Sequence, residues 1–284
     1  MDNFSSFLKS LGLSPDCTAF RSEEDGSEYS VWRVSLNGTP CVLKRAKAFE
    51  AQIYQTYLSN APSVPRLYRT AEWEGNCYLL MEYAEGESMC RCDRASLTLA
   101  LDALIALQER FWNAREPSSV DYTFDLTLTR RIDRGRYLAD PLLERAYGEF
   151  LSCYRSLPRT LCHDDLLPFN VLVGNECAVL IDWEVAALLP YPTSLARLLA
   201  HGESDPNALF VLSDEDREFA VTYYYEHLIA SKGISYEDYR RALDRFLFYE
   251  YCEWVMLGVK YGDTDSPRYR RYRELARSAA AKLC

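Results

Sequence analysis

The segment His163-Asp164-Asp165-Leu166-Leu167-Pro168-Phe169-Asn170 holds a histidine, a carboxylate two positions later and a carboxamide five beyond that. A short apolar run, Val171-Leu172-Val173, follows. Then come the turn pair Gly174-Asn175, a second run Val179-Leu180-Ile181, and Asp182-Trp183-Glu184. Short apolar runs separated by a turn predict a hairpin, which returns Asp182 to the side of Asn170. An amide oxygen and a carboxylate brought together make ligands for a hard cation such as magnesium. Asp165, in the same loop, is placed to accept the proton of an attacking hydroxyl or to orient it. His163 is expected to brace the loop by hydrogen bonding. Chemistry of this kind moves a phosphoryl group, which needs in-line positioning and cations against phosphate charge more than covalent help. Aspartate and asparagine also make turns with their own backbone. Only their joint spacing between apolar runs favours the catalytic reading.

That spacing, His-x-Asp followed by Asn five residues on, is the spacing of a kinase catalytic loop, and Asp182 stands where kinases carry the aspartate of Asp-Phe-Gly. The upstream parts of an ATP site occur in the matching order. Cys41-Val42-Leu43-Lys44 reads as a strand whose lysine would hold the α- and β-phosphates. Glu50, on the next helix, is the candidate to orient that lysine. Leu79 to Gly86 reads as a buried strand running into a connector. Met81 would contribute to an apolar slot for adenine, with the carbonyl of Glu82 and the amide of Ala84 at the ring edge. A glycine-rich phosphate loop is nearly absent. Arg21 to Ser30 contains only Gly26, with Ser27 beside it as a candidate phosphate contact or a plain turn residue.

The elements needed to carry these groups can be read in outline. Tyr29–Leu36 and Cys41–Arg45 form a strand pair about the turn Asn37-Gly38. Helical spacing over Ala48–Leu58 puts Phe49, Ile53, Tyr54 and Tyr57 on one face. Val64–Tyr68 is extended, Glu74-Gly75-Asn76 turns, and Cys77–Tyr83 is a buried strand. After the polar connector Ala84–Ser88 the pattern turns helical, with Ser96 as N-cap for Leu97–Trp112. A second helical region, Arg131–Leu157, breaks near Asp140-Pro141. Strand and turn chemistry returns over 161–182, and Thr193–Leu283 is nearly all helical. The expectation is an α+β fold of two lobes: a small strand-rich lobe over 1–84 that binds nucleotide, and a larger, mainly helical lobe over 85–284 that binds the second substrate.

Composition narrows the function classes. Lysine and arginine total 32 against 42 aspartates and glutamates, a net charge of −10. Such a surface repels nucleic acid and anionic lipid and is compatible with a cationic small substrate, although the balance is also ordinary for a soluble cytosolic protein. The cysteine spacings form neither a disulfide framework nor a zinc pattern. Cys41, Cys162 and Cys177 sit in or beside apolar runs, as free thiols of a reducing cytoplasm do. The start of the chain lacks signal-peptide character, and no run approaches a membrane span of about 20 residues.

With Leu43-Lys44, the Leu79–Gly86 hinge, His163–Asn170 and Ile181-Asp182 in hand, the sequence resembles the aminoglycoside phosphotransferase and choline kinase-like superfamily, whose fold is similar to that of protein kinases. The resemblance runs from about Tyr29 to the last helices. It implies ATP- and magnesium-dependent phosphorylation of a small-molecule hydroxyl, with Asp165 as base, Asn170 and Asp182 as metal ligands and Lys44 on ATP. Family members often carry glycine where this chain has Asp164, a carboxylate expected to face away or to meet an arginine. Asp182-Trp183-Glu184 departs from protein kinases but matches many relatives, and the short path to the Thr193 helix leaves no room for an activation segment. Acceptor candidates on the C-terminal helices are Glu184, Glu250, Glu253, Trp254 and Asp263. Carboxylates would hold the ammonium groups of an aminoglycoside and aromatic rings a quaternary amine, while Tyr251 and Trp254 also fit a packed core. Two other readings fit the fold: a nucleotide-binding pseudoenzyme or scaffold, and a protein kinase.

Overall fold

The computed structural model describes residues 3–21, 26–47 and 49–283. Helix α1 (Asn3–Ser10) precedes strands β1 (Thr18–Arg21), β2 (Glu28–Leu36) and β3 (Thr39–Arg45). The Asn37-Gly38 turn joins β2 to β3 with φ of 52° and 84°, the left-handed pair that a tight hairpin requires and that Asn-Gly adopts most readily. Strands β4 (Leu67–Trp73) and β5 (Asn76–Glu82) complete an antiparallel five-stranded sheet in the order β1-β2-β3-β5-β4. Between β3 and β4, Glu50–Ile53 (α2) runs on into a π turn over Tyr54–Leu58, so the expected 48–58 helix is split; Ala48 lies outside the described residues.

Strand alternation divides the burial. Tyr78 and Leu80 face α1, where Phe7 stacks on Trp73 with ring centroids 5.0 Å apart. Leu79 and Met81, on the opposite face, join the main core together with Ile53 and Tyr54. The sheet therefore holds Lys44 and the connector against the rest of the molecule.

Beyond the sheet, β6 (Glu87–Ser88) leads to α3 (Arg94–Arg110), α4 (Phe124–Gly135) and α5 (Pro141–Ser156). The N-cap of α3 is Asp93, whose carboxylate accepts from the Ser96 amide at 2.8 Å. Ser96 therefore sits inside the first turn rather than at the cap; Asp93 is as good a capping residue, three positions earlier. The helical region expected from Arg131 begins at Phe124, capped by Thr123. Next come β7 (Arg159–His163), the hairpin β8 (Val171–Val173) and β9 (Ala178–Leu180), and β10 (Ala186–Pro190), which pairs antiparallel with β7. Helices α6 (Pro192–Ala200), α7 (Asp214–Tyr224), α8 (Tyr236–Tyr261) and α9 (Pro267–Leu283) finish the larger lobe. Cys41 and Cys162 are buried free thiols. Cys177 is exposed, because it precedes the first residue of β9 in the hairpin turn. No helix among the described residues is long and apolar enough to cross a membrane.

Gly86 marks the passage between the lobes. Its φ is +148°, and a Cβ there would lie 2.9 Å from the Val173 carbonyl oxygen. Gly86→Ala is expected to cost about 1–3 kcal/mol of stability, read as a lower urea midpoint.

Candidate active site

Lys44 on β3 reaches two carboxylates. Its Nζ lies 2.8 Å from Glu50 Oε1 and 2.5 Å from Asp182 Oδ1. Burial alone would lower the Lys44 pKa, but the charges of Glu50 and Asp182 outweigh it and raise it, so the ammonium persists. Glu50 is fully buried and its Oε2 has no partner among the described residues. Burial pushes its carboxyl up to about 7 despite Lys44. Asp182 is the exposed member, with 38% of its side chain accessible. Burial raises its pKa, and Lys44 more than reverses that, holding it below the usual carboxylate range. One oxygen each of Glu50, Asp182 and Glu184 lie within 4.8 Å of one another, and Glu184 is paired with Lys47 at 2.7 Å.

Asp182 has a φ of +63°, left-handed backbone that costs most residues energy and that aspartate tolerates better than most. The loop around it is pinned from both sides. The Ile181 amide donates to the Asn170 carbonyl at 2.9 Å, and the Ile181 carbonyl accepts from His163 Nε2 at 2.8 Å. His163 Nδ1 accepts the Asp165 amide at 3.3 Å. That pattern requires the neutral ring, in keeping with a pKa lowered chiefly by burial. The His163 amide donates to Ser194 Oγ, and the His163 ring lies 4.7 Å from that of buried Trp183. His163 is thus the brace that its spacing suggested. Asn170 Nδ2 donates to the Asp165 carbonyl at 2.8 Å, which leaves Oδ1 as the acceptor end of the amide.

A second layer of charge surrounds the loop. Asp164 meets Arg131 at 2.5 Å, the second of the two arrangements expected of it, and burial drives the Asp164 pKa up against that charge. The Arg131 guanidinium lies 4.8 Å from the ring centroids of both Tyr154 and Tyr249. Arg197 on α6 donates to Asp165 Oδ1 from Nε at 3.1 Å and from Nη2 at 2.7 Å. Its Nη1 reaches Glu250 at 2.8 Å and Glu253 at 3.0 Å on α8, and Arg134 also pairs with Glu253. Sequence spacing did not reveal these arginines, because their partners lie 32 to 119 residues away in the chain.

The structure therefore brings Lys44, Glu50 and Asp182 into direct contact and ties Asn170 to Asp165. Met81 is buried on the core face of β5. Glu82 is exposed; its amide donates to the Arg66 carbonyl and its carboxylate accepts the Arg66 amide. Ala84 is half-buried in the connector. Ser27 is exposed beside Gly26, at the end of a stretch of which 22–25 lie outside the described residues. Trp254 stacks on Tyr272 at 5.6 Å, the packed role weighed for it. Asp263 lies past the end of α8, where its amide bonds the Gly258 carbonyl.

Two outcomes follow from this electrostatic arrangement. Asp164→Ala leaves the buried Arg131 charge without its carboxylate and is expected to cost about 3–5 kcal/mol, measured by equilibrium unfolding. Glu50 binds its proton more tightly folded than unfolded. Stability assigned to it is present below its ordinary value of 4.5 and is lost as pH rises through about 7. Denaturation at pH 5 and pH 8 is expected to show a smaller pH difference for Glu50→Gln than for the wild type.

A family profile described as the phosphotransferase enzyme family matches residues 12–226. Among curated protein sequences nothing matches significantly. Solved structures similar to this chain include a choline kinase from Streptococcus pneumoniae, 14% identical, with 98% of each chain covered and a TM-score of 0.63. An aminoglycoside phosphotransferase from Alicyclobacillus acidocaldarius is 15% identical, with 94% of this chain and 92% of that one covered and a TM-score of 0.58. An amicoumacin kinase in complex with AMP-PNP and Ca2+ is 14% identical, with 98% and 94% covered and a TM-score of 0.56. At these identities the likeness is one of fold, and it agrees with the α+β, two-lobed kinase-like architecture expected from the sequence. The profile match spans most of the chain, and the chain belongs to the phosphotransferase enzyme family.

Proposed function

We propose that the protein transfers the γ-phosphoryl group of ATP to a hydroxyl of a small molecule, with magnesium. The observation that carries this reading is the convergence of Lys44, Asp182, Asn170 and Asp165 from stretches as much as 138 residues apart. In the same reading, the chain divides into a nucleotide lobe over 1–84 and a catalytic lobe over 85–284, and works in the cytoplasm.

The donor set suits the cation. Asn170 offers an amide oxygen and Asp182 a partly exposed carboxylate, both hard ligands of the kind magnesium takes. Held there, the ion would neutralise phosphate charge. Lys44, kept cationic by Glu50, binds the α- and β-phosphates. Asp165, fixed by the His163 bond to its amide and by Arg197, orients the acceptor hydroxyl and takes its proton. Met81 flanks the adenine, the backbone of Glu82 and Ala84 meets its edge, and Ser27 touches phosphate. Support for ATP as donor comes from the related fold that holds AMP-PNP.

ADP release would be followed across sugars, amino alcohols, nucleosides and aminoglycosides. Asp165→Asn is expected to lower turnover about 10²–10⁴-fold, with nucleotide binding retained. Lys44→Met is expected to weaken nucleotide binding. Undiminished turnover in Asp165→Asn, or nucleotide binding with no phosphorylated product from any acceptor, would count against the reading, the second outcome pointing to a pseudoenzyme.

A further inference from the structure

The acceptor side of the loop is built from groups that ordinarily recognise cations: carboxylates and aromatic faces. In this chain they are already occupied by its own guanidinium groups. Arg197 bonds Asp165, Glu250 and Glu253 together. Arg134 also pairs with Glu253, and Arg131 takes Asp164. These three arginines stand against four carboxylates, so the wall keeps a single negative charge of the four. The rings are engaged in the same way. Arg131 lies over Tyr154 and Tyr249, and Arg268 lies 4.7 Å from the ring centroid of Trp254, which also stacks on Tyr272.

From this we propose that Arg197 is a specificity-determining residue that makes the acceptor an uncharged hydroxyl compound, such as a sugar or other polyol, and excludes polycations and quaternary amines; the inference rests on the kinase reading above. A cationic acceptor that paired with Glu250 or Glu253 would have to displace Arg197, which bridges both to Asp165. Glu250 is only 2% exposed, so its lost partner could not be replaced by water without a desolvation cost. An uncharged polyol instead finds a rigid wall with the one remaining Nη2–H of Arg197 as donor and an acceptor in the accessible part of Asp165, whose side chain is 35% exposed. Arg197 also fixes the Asp165 carboxylate through two N–H groups on one oxygen, leaving the other oxygen for the acceptor hydroxyl.

The test is a binding measurement, so that its failure is separate from failure of phosphoryl transfer. Neomycin and choline would be titrated calorimetrically into wild type, Arg197→Gln and the double variant Arg197→Gln/Glu250→Gln, each with AMP-PNP and magnesium present. The double variant removes the buried carboxylate that Arg197→Gln orphans, and it serves if the single variant does not fold. Wild type is expected to bind neither probe more tightly than about 1 mM, and either variant to bind neomycin at least about tenfold more tightly. Micromolar binding of neomycin or choline by the wild type overturns the proposal, as does a gain of less than tenfold in the folded variants. ADP release with neutral polyols, measured in parallel, reports on the kinase reading itself.

Discussion

The contact between Lys44 and Asp182 is the constraint on which the site depends. It joins the five-stranded sheet to the loop after β9, across 138 residues of chain. A lysine with 13% of its side chain accessible cannot stay charged at a core boundary without carboxylate partners. The two partners differ in kind. Glu50 is fully buried and belongs to the same lobe, so it fixes the position of the ammonium from within that lobe. Asp182 is partly open to solvent and is anchored by a left-handed backbone that the His163–Ile181 and Ile181–Asn170 bonds keep in place. In the proposed function, a fixed inner partner and an accessible outer one would let Lys44 accept a phosphate ligand without losing its orientation, the preorganisation that phosphoryl transfer requires.

Around that contact the molecule spends charge on rigidity. Asp164 is a second carboxylate beside Asp165, and its burial is tolerated because Arg131 meets it between two tyrosine rings. Buried ion pairs add little net stability compared with a well-packed apolar cluster, and their better-attested use is to define one arrangement among several. Arg197 does this for the catalytic loop, linking Asp165 on the loop to Glu250 and Glu253 on α8. The proposed base Asp165 and the two α8 carboxylates are thereby parts of one network.

Much of this was legible in the residues. The His163–Asn170 spacing, the hairpin returning Asp182, and the lysine ending Cys41–Lys44 are local patterns, and each is borne by a short element whose sequence specifies it. Asn37-Gly38 is a clear instance, since few other pairs adopt its backbone. The arginines were not legible: nothing adjacent to Arg131 or Arg197 marks them, and their meaning arises only when helices pack. Asp93 and Ser96 are both capping residues and local pattern does not choose between them; the fold places the α3 cap at Asp93. Helical spacing over 48–58 implies a uniform helix, whereas the structure widens it to a π turn at Tyr54–Leu58 while keeping Ile53, Tyr54 and Tyr57 in the core. Glu250 and Glu253 were singled out as cation ligands, and the arginines that satisfy them came into view only with the fold.

The most direct measurement is a crystal structure with AMP-PNP and magnesium. The account requires Lys44 Nζ within hydrogen-bond reach of the α- or β-phosphate, Asn170 Oδ1 and an Asp182 oxygen about 2.0–2.1 Å from one ion, and Asp165 facing the γ-phosphate. Nucleotide seated away from Lys44, or an ion that neither Asn170 nor Asp182 touches, would contradict it.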